Sequence, residues 1–234
     1  MGSATESGKC TGFTFLYLSS HNKLSHTKFK DIISMSWSIE SPVQPMDNKT
    51  KDDINSLELA ISKAAQEKII LFCATSDRGS STSDTLYPGC ISPVIKIGAA
   101  TSTGDVSTKV LSHNVDYIFP GEAITVDGKT TADGSSISTA LAAGMAAMLL
   151  FCVEQVVPED GRKDYYTNAA IRRAFRKMGA DESCAPKVEA PYNWVDTDHQ
   201  NSEIWRSKVR TVMMKVGLIG LWPLDLRNLN IRLT

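Results

Sequence analysis

Ile69-Ile70-Leu71-Phe72-Cys73-Ala74 is an unbroken apolar run of strand length. Such a run, with no polar alternation, fits a parallel strand covered on both faces. Just upstream, Ile54, Leu57, Ile61, Ala64 and Ala65 recur at helical spacing as one apolar stripe, the pattern of a surface helix. Thr50-Lys51-Asp52-Asp53 sets a carboxylate three residues after a Thr and predicts the start of that helix. Residues 41–51, with Pro42 and Pro45, read as a loop. Before them, Ile32-Ile33-Ser34-Met35-Ser36-Trp37 reads as another buried strand. Strand, helix and strand within about 43 residues make a βαβ unit, whose default crossover is right-handed. The class that follows is α/β with a parallel sheet.

Further strands extend the pattern on both sides. Val94-Ile95-Lys96-Ile97-Gly98-Ala99 is one, and Asp116-Tyr117-Ile118-Phe119, closed by Pro120-Gly121, is a shorter one. Residues 75–90, with Asp77, Gly79, Pro88 and Gly89, read as a turn-rich loop. Residues 122–135 read as a hairpin and loop turning at Asp127-Gly128. From Ile137 to Gln155 the chain is small and apolar nearly all round, which predicts a core helix. Thr167 to Met178 predicts a second helix, with Ala170, Ile171, Ala174 and Phe175 on its apolar face. At the N-terminus, residues 1–12 look loose and Phe13 to Leu18 has strand composition. Residues 181–201, with Pro186 and Pro191, read as a linker. Ser202 to Val216 reads as an amphipathic helix, with Ile204, Val209, Val212, Met213 and Val216 on one side.

Composition narrows the function classes. The 234 residues carry 25 Lys+Arg against 26 Asp+Glu, and 42% are hydrophobic. That balance excludes a disordered chain, a collagen-like chain and a strongly basic nucleic-acid binder. Residues 1–157 sum to −4 and residues 158–234 to +3, and neither value suggests a polyanion partner. No unbroken run of about 18 apolar residues occurs, so no spanning helix and no membrane partner are expected. Cys10, Cys73, Cys90, Cys152 and Cys184 are odd in number and widely spaced, without a CxxC. Neither a zinc site nor a disulfide framework follows, and no metal or other cofactor is expected. Met1 to Cys10 lacks a basic n-region, so no signal peptide is visible. An intracellular chain with reduced thiols is favoured, or a chain without its true start.

The chemistry concentrates at Gly134-Ser135-Ser136-Ile137-Ser138-Thr139-Ala140. A polar turn ends in Ser136 as the buried helix begins. A Ser at that point can be a nucleophile, because the helix dipole and unpaired N–H groups favour a developing oxyanion. Taken alone, the motif fits an N-cap better, since Ser is very common at helix starts.

Five segments in order resemble the subtilisin-like serine protease family, the subtilases. Residues 134–140 are similar to its nucleophile motif Gly-Thr-Ser-x-Ala-x-Pro, with Ala140 in place of the proline. Ile32 to Ser38 resembles the strand carrying the substrate-binding edge. Ala74-Thr75-Ser76-Asp77-Arg78-Gly79 resembles Ala-Ala-Gly-Asn-x-Gly, which holds the oxyanion-hole asparagine. Tyr87-Pro88 followed by Val94 to Ala99 resembles the next loop and strand. Asp116 to Gly121 resembles Asp-Val-x-Ala-Pro-Gly. The resemblance divides the chain into an unmatched N-terminal segment 1–30, a partial catalytic domain 31–180, and an unmatched tail 181–234 with one candidate helix.

The resemblance implies a three-layer, parallel-sheet subtilisin-like fold, incomplete at its N-terminal side, and hydrolysis of peptide bonds in a polypeptide substrate. Ser136 would attack the scissile carbonyl. Its own N–H and the side chain of Asp77 would face the oxyanion. Ser36, Trp37 and Ser38 would pair with an extended substrate as an added strand, with Trp37 beside a substrate pocket. Asp77 stands where most of the family has Asn, and an ionised carboxylate would repel an oxyanion that an amide stabilises. A serine nucleophile also needs a histidine oriented by a carboxylate. The family's Asp-(Ser/Thr)-Gly and His-Gly-Thr-His motifs are absent here. His21 and His26 match neither, and His113 and His199 fall out of order.

The chain alone is therefore expected to be inactive. Three readings stay open: the nucleophile half of a serine endopeptidase, a non-catalytic relative serving as a binding or scaffold module, and an unrelated α/β binding domain in which Ser136 only caps a helix. The incomplete sheet is expected to leave apolar surface open for a partner, with the 202–216 helix as a candidate cover.

Overall fold

A computed structural model describes the backbone of residues 16–18, together with residues 32–41, 46–79, 85–126 and 129–179. Its centre is a five-stranded sheet. The strands are β1 (Leu16–Leu18), β2 (Ile32–Met35), β4 (Ile70–Ala74), β6 (Ile95–Ala100) and β7 (Tyr117–Pro120), side by side in that order. The neighbours β2–β4, β4–β6 and β6–β7 run parallel, and β1 pairs antiparallel with β2 at one edge. Register is set by apolar partners such as Ile32 opposite Ile70 and Phe72 opposite Ile95.

Alternation along the strands sorts the core into two faces. Ile32, Ile70, Phe72, Ile95, Ile97, Tyr117 and Phe119 turn toward α2 (Ser135–Val156) and α4 (Asn168–Met178). Met35, Leu71 and Cys73 turn the other way and meet Ile61 of α1 (Asn48–Gln66). Ile118, Ala100, Val110 and Val115 continue that second face. The result is three layers, helix, sheet, helix, as the continuous apolar strands require.

Phe175 anchors α4. Its ring centroid lies 5.4 Å from Tyr117 and 5.2 Å from Phe119, both edge-on, and 6.0 Å from Phe72. Arg172 fastens the same helix to the N-terminal ends of the strands. It donates to Val94 O at 3.0 Å and to Asp116 Oδ2 at 3.1 Å, and that carboxylate also accepts from Lys96 N at 2.8 Å.

Several sequence expectations need correction. The helix predicted to open at Thr50 begins at Asn48, because Asp47 is its cap. The Asp47 carboxylate accepts from Thr50 N at 2.9 Å and Thr50 Oγ1 at 2.8 Å, and these bonds hold its pKa below the ordinary value. The loop 75–90 contains β5 (Leu86–Tyr87), paired antiparallel with β3 (Ile39–Glu40). Two residues per strand are too few to show a period. A short α3 (Glu159–Arg162) also went unread. The hairpin is present as β8 (Ile124–Val126) and β9 (Thr130–Ala132), while its Asp127-Gly128 turn lies outside the described residues. The helix at 202–216 lies outside them too, as do His21, His26 and His199. By length and mean hydropathy, 2.0 over 18 residues, α2 could cross a membrane, but half of that window is buried in the protein. It packs across all five strands of the sheet and serves as a core helix.

Two measurements test this packing. Phe175→Ala, which removes a fully buried ring, should lower stability by about 3–5 kcal/mol in urea unfolding. In native protein, a thiol reagent at pH 8 should modify exposed Cys90 before Cys73 or Cys152. Burial of Cys73 raises its pKa strongly, and burial of Cys152 pushes its thiol up to about 12.

Candidate active site

The start of α2 is sewn to the C-terminal ends of the central strands. Ser138 Oγ is 3.0 Å from Phe119 O and 3.1 Å from Pro120 O, where it donates. Gly121 makes the approach feasible, since a Cβ there would collide with Ser138 Oγ and stand 2.6 Å from Ala99 Cβ. Gly121 O accepts from Gly134 N at 2.7 Å. The first turn of α2 therefore sits outside the carboxyl ends of β6 and β7, where open parallel sheets place their ligands.

Ser135 is the knot of this region. Its hydroxyl accepts from Ala99 N at 3.1 Å and from Thr75 Oγ1 at 3.3 Å, and it donates to Asp77 Oδ1 at 2.6 Å. Its N–H points at both carboxylate oxygens of Asp77, 3.1 and 2.9 Å away. The helix N-cap is Gly134, which has no side chain to offer, so a carboxylate 58 residues away does the capping. That places negative charge where the helix dipole is positive. Gly134 has φ +127°, a value that suits only glycine. A Cβ at Gly134 would stand 2.9 Å from Asp77 Oδ2 and 3.6 Å from Ser136 Oγ, so the two side chains share one small space.

Ser136 follows as the second residue of α2, half-buried. Its reading as an N-cap is overturned, because the cap position belongs to Gly134 and the capping oxygens to Asp77. Ser36 donates its hydroxyl to Ser136 O at 3.0 Å, which brings the end of β2 to the same point. Ser36, Asp77 and Ser136 therefore converge. Trp37 instead packs against the cluster of Met35, Ile61, Leu71, Cys73 and Val94 on the α1 side of the sheet. Ser38 is half-buried beyond the strand end. Arg78, next to Asp77, reaches across to Glu40 of β3 at 3.2 Å, with the arginine exposed and the glutamate half-buried. Sequence reasoning missed Ser135 and Thr75. Their only signals were a second Ser in the motif and a polar residue closing an apolar strand.

Among the described residues His113 is the sole histidine. It lies in a single 3-10 turn, Ser112–Asn114, on the segment that packs through Val110 and Val115 on the sheet face opposite α2. It is therefore separated by the sheet from the helix that carries Ser136. The described residues also hold no group of three or more His, Cys, Asp or Glu suited to a metal ion.

A parallel sheet flanked by helices, with a serine on the first turn of a buried helix at the strand ends, is an α/β architecture with its candidate site at the carboxyl ends of the strands. The profile of the Subtilase family matches residues 8–201, and the chain belongs to that family. An intracellular serine protease of Paenibacillus polymyxa is 35% identical over 106 residues, a match covering 42% of this chain and 32% of the relative. The chain thus spans about a third of the length of that curated relative. Among solved structures, the prenylagaramide maturation protease PagA has a similar fold, with a TM-score of 0.50 at 19% identity over 80% of this chain and 61% of that one. The PatG macrocyclase domain gives a TM-score of 0.49 at 16% identity, over 80% and 52%.

The knot at Ser135 is open to test. Ser135→Ala leaves the buried Ala99 N–H without its acceptor and should cost about 1–3 kcal/mol. Asp77→Asn keeps one acceptor oxygen for Ser135 N–H and should cost about 1 kcal/mol. Thermal or urea melts of the two variants should rank in that order.

Proposed function

We propose that the chain carries the nucleophile half of a serine endopeptidase, with Ser136 as nucleophile and Ser36 to Ser38 as the edge that receives an extended polypeptide substrate. The observation that carries this reading is the convergence of three distant segments on Ser136. The end of β2 reaches its carbonyl through Ser36, the segment after β4 holds the neighbouring Ser135 through Asp77, and α2 presents it on its first turn. Asp77 caps the helix at Ser135, and the bond from Ser36 to Ser136 O is additional to that cap. Membership of the subtilase family supports the same chemistry.

Among the described residues no histidine stands beside Ser136, since His113 lies on the other face of the sheet. Removing one member of a Ser-His-Asp set costs nearly as much as removing all of it, so the chain alone is inert on peptides. A base would have to reach Ser136 from elsewhere. A second reading, a non-catalytic subtilase-like binding or scaffold protein, is favoured by one observation. Both oxygens of Asp77 are engaged by Ser135, so this side chain acts as an acceptor where an oxyanion hole needs a donor.

A fluorophosphonate probe separates the readings. The chain alone should not be labelled. Added imidazole, as an external base, should produce slow labelling of the wild type and none of Ser136→Ala. Asp77→Asn, which frees an amide to donate, should be labelled faster than wild type. Absence of labelling in every arm would favour the scaffold reading. Labelling of the chain without imidazole would overturn the claim that it lacks a base.

A further inference from the structure

The turn that presents Ser136 is entered through Asp133, three residues earlier. The hairpin leading into it pairs Ile124 with Ala132, but Gly134 N donates to Gly121 O at 2.7 Å, one residue out of that register. Glu122 and Ala123 therefore face Asp133 alone, which makes a β-bulge. Bulges beside a site re-aim the chain that follows them. Ala123 carries the strain, with φ +53°, in the left-handed region where a Cβ crowds the backbone. The Asp133 carboxylate holds it there. Oδ1 accepts from Ala123 N at 2.7 Å, and Oδ2 lies 3.7 Å from Lys109 Nζ. Lys109 O in turn accepts from Gly79 N at 2.7 Å, two residues after the Asp77 that caps α2. The contacts close a ring: Ser135 to Asp77, Gly79 to Lys109, and Lys109 to Asp133, one peptide ahead of Gly134.

We infer that Asp133 is a positioning residue for Ser136, and that it acts by holding Ala123 in its left-handed conformation. Residues with a side chain persist there only where their surroundings over-determine them, and such positions collect at functional sites. Gly134 N is anchored on Gly121 O, and Gly121 lies only two residues before Ala123. Relaxation of Ala123 to a negative φ would move that anchor, and the first turn of α2 would move with it. A shift of about 1 Å at a reacting group can cost about a hundredfold in rate. The bond to Ala123 N is the part of Asp133 that matters. The ion pair to Lys109 joins side chains 53% and 52% exposed, and pairs of that kind contribute little. Asp133 acts on Ser136 through the backbone and not on the reacting atoms. Its effect on reactivity rests on the reading of Ser136 as nucleophile, while its hold on the turn does not.

Two readouts on the full chain test it, both taken well below the melting temperature of each variant. One is the rate of fluorophosphonate labelling of Ser136 in imidazole. The other is hydrogen exchange of the Gly134 amide by NMR, which needs no chemistry at Ser136. Asp133→Ala should slow labelling and speed exchange, each about tenfold or more. Asp133→Asn keeps an oxygen for Ala123 N and drops the charge, so it should stay within about threefold of wild type. Glycine takes a positive φ without strain, so Ala123→Gly added to Asp133→Ala should recover most of both losses. Should Asp133→Ala fail to fold, the double variant measured against Ala123→Gly alone still decides. The two should agree within about threefold, because Asp133 is dispensable once residue 123 is unstrained. Unchanged exchange at Gly134 in Asp133→Ala would overturn the inference, and so would unchanged labelling. A double variant that recovers nothing would overturn it too. If the wild type is not labelled at all, the nucleophile reading fails, and exchange at Gly134 still decides whether Asp133 holds the turn.

Discussion

The Ser135 hydroxyl ties the start of α2 to the ends of two neighbouring strands and to the loop that carries Asp77. It accepts a hydrogen bond from Ala99 N of β6 and another from Thr75 at the end of β4, and donates one to Asp77. A buried hydroxyl with all its capacity used is rigid, because each lost bond exposes a desolvated group. Rigidity here is inherited by the next residue. Ser136 has its peptide fixed on one side by the Asp77 carboxylate at Ser135 N and on the other by Ser36 at Ser136 O. The reactive position is thus held through backbone atoms, and its side chain stays uncommitted.

The same arrangement explains the glycines around it. Gly121 lets α2 sink onto the ends of β6 and β7, and Gly134 turns the chain through a conformation other residues avoid. Below this seam, α2 and α4 cover one sheet face around Phe175, and α1 covers the other. Small residues on α2 allow the close approach, and the aromatic cluster fills the volume that they leave beside it.

Much of the fold was legible in the sequence. The run at 69–74 holds no polar residue, those at 32–37 and 94–99 are broken only by Ser34, Ser36 and Lys96, and a parallel central strand is the structure that hides both faces. The helix 167–178 was equally plain, since Ala170, Ile171, Ala174 and Phe175 make one stripe. What failed to show were features made by tertiary contact. β3 and β5 are two residues each and exist only because they pair. Asp47 took the cap from Thr50 because a carboxylate one turn earlier could reach its N–H. At the site, the motif pointed to Ser136 and the neighbourhood of Asp77. No local pattern could say that Asp77 faces Ser135, because that contact joins residues 58 positions apart.

That separation bears on how the molecule comes into being. The bond from Ser36 to Ser136 closes a span of 100 residues, and the Thr75–Ser135 and Ala99–Ser135 bonds close 60 and 36. Each such closure costs chain entropy before its contacts repay any of it. Parallel sheets with crossovers of this kind form slowly, and their partly formed states expose strand edges and apolar faces. The site around Ser136 is then a late product of folding, absent from any intermediate in which α2 has not yet settled on β6.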